Sequence, residues 1–127
     1  MWTYKANLVR VIDGDTVVLK LFKDFPTDID FGFYIKETIL TSKSVELSFR
    51  LLGIDSPEVV GVNKAAGLLS KMELEKILKS GDLVATTYKP DKYGRWLVTI
   101  KVNLADGTVI DVAEHLVKNG FAVPYIV

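Results

Sequence analysis

Apolar positions along the chain fall into short β-rich runs separated by breaks containing Gly, Asp and Pro. Lys5 to Phe22 is rich in Val, Ile, Leu and Thr and is interrupted once, at Asp13-Gly14-Asp15. An Asp-Gly pair between two such runs predicts a hairpin, with Thr16 to Leu21 as its second strand. Val45 to Ile54 predicts a third strand that stops at Asp55-Ser56-Pro57-Glu58, because proline cannot continue the pairing and holds Ser56 extended. Leu83 to Tyr88 and Trp96 to Val102 predict strands four and five, separated by Pro90-Asp91-Lys92-Tyr93-Gly94. Asp106-Gly107 marks another turn.

In two places the apolar spacing becomes helical. Asn63 to Lys79 predicts a helix with Asn63 as N-cap, Ala65, Leu68, Leu69, Met72 and Leu78 at helical spacing, and Gly81 as terminator. Asp111 to Asn119 predicts a second, with Asp111 and Glu114 as a capping-box-like pair and Gly120 at C′. Residues 23–43 give mixed signals. Asp24, Pro26, Asp28 and Asp30 argue for a loop, while Phe31, Phe33, Tyr34, Ile35, Ile39 and Leu40 argue for extended, partly buried chain. We read this segment as a long arm joining strands two and three. Three strands, a helix, two strands and a helix give an α+β, mainly β class. The layout is that of a five-stranded Greek-key OB-type barrel with two packed helices and the arm. A length of 127 residues fits one domain spanning the whole chain.

Composition and charge narrow the chemistry. There is no cysteine and one histidine, His115, so disulfides, thiolate sites and a His-cluster metal site within one chain are excluded. Lys plus Arg and Asp plus Glu are equal at 16 each, which argues against tight non-specific coating of nucleic acid and predicts modest steering of an anionic substrate. A local basic cleft is still compatible with that balance, because phosphate contacts need only a few residues. Met1-Trp2-Thr3-Tyr4-Lys5 does not read as a signal peptide, and no run approaches a membrane span, so a soluble, cytoplasmic protein without a membrane partner is the expectation.

Three segments hold nearly all the polar residues that interrupt the apolar strands: Asp13 to Thr16, Arg50 to Glu58, and Asp91 to Arg95. They supply carboxylates and two arginines at strand ends. Arg50 stands among Phe49, Leu51, Leu52 and Ile54, where a charge requires a carboxylate or phosphate partner. Strict alternation places Asp55 on the face opposite Arg50. A bend at Gly53 would bring the two into one cleft.

The strings VIDGDTVVLKL, FRLLGIDSPE and DKYGRWLVTI, in that order, resemble the signature blocks of staphylococcal-nuclease-like domains, and DGTVIDVAEHLVKNGFA resembles the segment that follows them. The resemblance implies a calcium-dependent nuclease acting on DNA or RNA, with a single-strand preference and products ending in a 3′-phosphate. It implies that Asp15 and Asp55 ligate Ca2+ through carboxylate oxygens and Ser56 through its carbonyl, with Asp13 in the surrounding shell. Glu58 would hold or deprotonate the attacking water, and Arg50 and Arg95 would grip the scissile phosphate. Lys92 and Tyr93 would contact a neighbouring phosphate, and Tyr125 would lie against the nucleotide. Calcium takes hard oxygen ligands, and guanidinium matches phosphate bidentately, so the residue types suit the roles. Two features depart from the familiar pattern. The stretch Val59-Val60-Gly61-Val62 replaces a longer lysine-rich loop, and the arm is longer than usual, somewhat like that of phage- or prophage-borne members.

Each residue also has a plainer reading. Asp-Gly is first a turn, and Asp55-Ser56-Pro57-Glu58 is first a strand terminator. His115 reads as solvated or capping, and Trp96 as packing. Phe31, Phe33 and Tyr34 could stack bases, but read more simply as core or as a self-association surface, giving a homodimer through residues 23–43. Against the nuclease stands a non-catalytic OB-type module that binds nucleic acid or a protein.

Overall fold

The computed structural model describes residues 1–57, 64–92 and 94–125. The predicted first hairpin is present. β1 (Trp2–Asp13) pairs antiparallel with β2 (Thr16–Gly32), and the Asp13↔Thr16 register leaves Gly14-Asp15 as the turn. β2 pairs antiparallel with β3 (Ile35–Leu51) along its length, from Thr16↔Arg50 to Gly32↔Ile35. Leu52-Gly53 turns the chain into the short β4 (Ile54–Asp55), and α1 (Lys64–Leu78) leads to β5 (Asp82–Tyr88). β5 lies against β1 and pairs with β6 (Trp96–Asn103). Phe49, Arg50 and Leu51 of β3 then pair in parallel with Trp96, Leu97 and Val98 of β6, so five strands close into a ring. β7 (Val109–Asp111) adds to β6, α2 (Val112–Lys118) follows, and β8 (Val123–Pro124) pairs with β4.

The two-residue period of the strands explains the core. Val17, Leu19 and Leu21 of β2 all face inward, together with Phe49 and Leu51 of β3 and Val98, Ile100 and Val102 of β6. Full burial of one such side chain contributes roughly 1.5–3 kcal/mol, so this inward row is the main force holding the ring closed. The architecture is mainly β with two helices, as the sequence predicts. No helix among the described residues is long and apolar enough to cross a membrane.

The arm is a two-stranded ribbon and not a loop, which corrects the reading of its aspartates and proline. β1 leaves β2 at Phe22, and beyond that point β2 and β3 continue alone. Pro26 is tolerated because its strand has no third neighbour there. The ribbon is amphipathic. Phe25, Ile29 and Phe31 continue the inward face of β2, while Asp24, Asp28 and Asp30 occupy the other face. Asp24 accepts from the Ser42 hydroxyl at 2.6 Å and Asp28 from the Thr38 hydroxyl at 2.6 Å, so the aspartates serve as cross-strand pairs. At the tip Phe33 and Tyr34 have φ of +50° and +66°, the left-handed pair that a two-residue hairpin turn requires. Both are fully exposed, at 95% and 101%, so the tip aromatics are not core.

α1 meets the ring by a face different from the predicted one. Gly67, Ser70, Leu74, Ile77 and Leu78 are buried, whereas Leu68, Leu69 and Met72 are exposed. Small residues at 67 and 70 let the helix approach closely, and the Ser70 hydroxyl donates to the Phe121 carbonyl at 2.7 Å. The predicted N-cap Asn63 lies outside the described residues. α2 carries its predicted caps: the Asp111 carboxylate accepts from the Glu114 amide, and Gly120 has a φ of +80°. His115 lies in the C-capping region of α2, as expected, where its carbonyl accepts from the C-cap Asn119 amide, and it is partly buried. Its Nε2 lies 2.9 Å from Glu73 Oε1, which ties α2 to α1.

Candidate active site

The turn after β1, the end of β3 and the start of β4 converge on one point. The Asp15 carbonyl accepts from the Leu51 amide at 2.7 Å, which fixes the turn against the last residue of β3. Gly14 makes that approach possible. A Cβ there would stand 2.7 Å from the Ser70 Cβ and 2.9 Å from the Ser56 hydroxyl oxygen, with no room for a side chain. The bend at Gly53, which the residue pattern left open, is present. With φ +85° it reverses the chain between β3 and β4 and carries Asp55 back toward Arg50. Arg50 Nη2 lies 3.3 Å from Asp55 Oδ1 and 3.7 Å from Asp15 Oδ2. The guanidinium is 7% exposed, so this is a buried cation between two carboxylates of opposite accessibility: Asp15 at 11% and Asp55 at 52%.

Asp15 is held from several sides. Its Oδ2 accepts from the Ser56 amide at 3.1 Å and its Oδ1 from the Thr16 hydroxyl at 3.0 Å. Burial nevertheless pushes its carboxyl above the ordinary range, and these two hydrogen bonds and Arg50 offset that only in part. The neighbouring Asp55 pushes the same way. A buried carboxylate raised in this way, with a second one beside it, is a site that a divalent cation would discharge. The Ser56 hydroxyl adds a third oxygen, buried and without a hydrogen-bond partner among the described residues. The donor set is entirely hard oxygen, which fits calcium and not a soft metal. Among the described residues no group of three or more His, Cys, Asp or Glu gathers, so any third carboxylate would come from outside them.

The other predicted residues fall into three groups. Tyr125 joins the cluster. β8 pairs with β4, the Tyr125 amide donates to the Gly53 carbonyl at 2.9 Å, and the Arg50 guanidinium carbon lies 5.0 Å from the ring centroid. Arg95 and Lys92 stand in the β5–β6 connection. There Asp91 accepts from the Arg95 amide at 2.9 Å and from its Nε at 2.8 Å, making a compact ion-paired turn. Asp13 ends β1 opposite Thr16, and among the described residues no hydrogen bond or ion pair links its side chain to Asp15. Glu58 and Tyr93 lie outside the described residues. Sequence reasoning missed the roles of Gly14 and Ser70. The signal for Ser70 was a small residue beside Leu68 and Leu69 in α1, and Gly14 stood out only as a turn residue.

A buried arginine thus stands between two carboxylates where β3 turns into β4. The family model described as staphylococcal nuclease homologue matches residues 48–127. The chain belongs to this family of nucleases. The matched span contains Arg50, Asp55, Ser56, Glu58, Lys92, Tyr93, Arg95 and Tyr125, while Asp13 and Asp15 precede it. Among curated proteins no match was found.

Proposed function

We propose that the chain is a calcium-dependent phosphodiesterase that cuts single-stranded DNA or RNA and leaves a 3′-phosphate, built on an OB-type Greek-key barrel. The observation that carries this is Arg50, buried between Asp15 and Asp55 with Tyr125 against it. A cation at the two carboxylates would supply Lewis-acid help and a template for the phosphate. Asp15, Asp55 and Ser56 would hold it. Arg50 would then exchange its carboxylates for phosphate oxygens, with Tyr125 as a platform beside it. Glu58 would take the proton of the attacking water, and Arg95 would meet the charge that develops on the phosphoryl oxygens. Lys92 and Tyr93 would hold an adjacent phosphate, and Asp13 would act only through its neighbours.

Incubation of denatured DNA with millimolar calcium is expected to give cleavage that chelator abolishes. Glu58→Gln is expected to slow it by about 10²–10⁴-fold, the usual contribution of a general base. Binding without calcium-dependent cleavage would replace the enzyme by the binding module. The exposed apolar face of the arm supports a second partner proposal, a homodimer through residues 23–43. Sedimentation is expected to give twice the chain mass, and a single-chain mass would remove it.

A further inference from the structure

A groove of about 580 Å³ opens beside the site, between the first residues of β1, the base of the arm and the β5–β6 connection. Phe49 lies at its floor, and Trp2 and Trp96 stand on its walls. These are the only two tryptophans of the chain. Neither is packed away, with Trp2 66% and Trp96 46% exposed, which corrects the reading of Trp96 as packing. Lys23, Lys43 and Lys89 also line the groove, and among the described residues no carboxylate does. In a chain with no net charge, that is a local concentration of positive charge and not a reflection of composition.

The lysines are placed at a cost. Lys23 and Lys43 are direct cross-strand partners on one face of the ribbon, where like charges repel. Lys23 relieves part of this by lying 5.6 Å from the Trp2 ring centroid. An anion between the pair would relieve the rest. The groove shares strands β3 and β6 with the site. Trp96 follows Arg95 directly and pairs with Phe49, while Leu97 pairs with Arg50.

We infer that this groove holds the nucleotides flanking the scissile phosphate of a single-stranded nucleic acid, with bases against Trp2 and Trp96 and phosphate between Lys23 and Lys43. Exposed aromatic faces with interleaved lysines are the chemistry of single-strand binding, and a duplex offers no free base face to stack. The inference takes its direction from the nuclease reading, but its test needs no cleavage.

The test is titration of the whole chain with a single-stranded oligothymidylate in chelator, read by tryptophan emission. Quenching is expected. Trp96→Ala and Trp2→Ala are each expected to weaken binding by at least about fivefold, the lower end for loss of one stacked base. Lys23→Gln combined with Lys43→Gln is expected to reduce the slope of log affinity against log salt by about 0.7, the contribution of one single-strand phosphate contact. Thermal melts establish that each variant is folded. Unchanged emission, wild-type affinity in both tryptophan variants, or equal quenching by a duplex of the same sequence would overturn the inference. Calcium-dependent cleavage is measured in parallel on the wild type. Cleavage without quenching would leave the nuclease reading and remove the groove, and quenching without cleavage would do the reverse.

Discussion

Replacing Arg50 with alanine is expected to lower kcat on single-stranded DNA by about 10²–10³-fold at saturating calcium, the range for losing one preorganised electrostatic donor. The guanidinium is 7% exposed, so its charge acts in a poorly screened environment and no water replaces it cheaply. The same substitution should also cost stability without metal. Removing one partner of a buried pair costs about 3–5 kcal/mol, and the lower end applies here because Asp55 is 52% exposed and can rehydrate. Asp15 cannot, and without Arg50 its carboxyl moves further above the ordinary range. Arg50→Lys separates the two effects. The ammonium restores a charge but not the planar fork, so stability should recover more than turnover does. Steady-state kinetics and thermal melts on both variants check this. An alanine variant that cuts within tenfold of wild type would remove Arg50 from the chemistry.

Arg50 and Asp55 also show where sequence reasoning reaches its limit. Alternation separates residues five apart, and only a reversal at Gly53 can join them. The glycine made that reversal available, but its φ of +85° follows from β4 finding β8 some seventy positions later, a pairing that no local pattern encodes. The first hairpin, strands β5 and β6 and the caps of α2 were legible because each rests on neighbouring residues: Asp-Gly, alternating valines, Asp111 with Glu114. The arm between strands two and three was legible, but its aspartates and Pro26 were weighed as loop signals for a related reason. Its period of two was visible in Phe25, Ile29 and Phe31 against Asp24, Asp28 and Asp30, but proline and aspartate are strand breakers only in ribbons with neighbours on both sides. The face of α1 was misread because the ring selects the narrow side of the helix, Gly67 and Ser70, over its leucines. The site residues were named by their resemblance to a family. Their convergence depended on contacts between β1, β3, β4 and β8 that the sequence does not contain as a pattern.

Asp15→Asn is expected to abolish calcium binding and cleavage while making the metal-free protein more stable at neutral pH. The two effects have one source. Burial, the largest influence on Asp15, raises its pKa above the ordinary 3.8, so the folded state holds this proton more tightly than the unfolded chain does. Its contribution therefore favours folding fully below pH 3.8 and is lost as pH rises through the folded-state value. At neutral pH the ionised carboxylate opposes folding, and asparagine removes that opposition. The hydrogen bonds survive the exchange if the amide nitrogen takes the Oδ1 position, where the Thr16 hydroxyl can turn and accept, leaving the oxygen for the Ser56 amide. Thermal melts in chelator should thus show a higher Tm for Asp15→Asn at pH 7, with the gap closing as pH falls and the wild-type carboxyl protonates. Calcium should invert the order. A ligand at 100 times its Kd stabilises by about 2.7 kcal/mol, and only the wild type would receive this. A variant destabilised in chelator would mean that Asp15 is a structural ion-pair partner. One stabilised in chelator and indifferent to calcium would mark Asp15 as a carboxylate that opposes folding until a cation binds it.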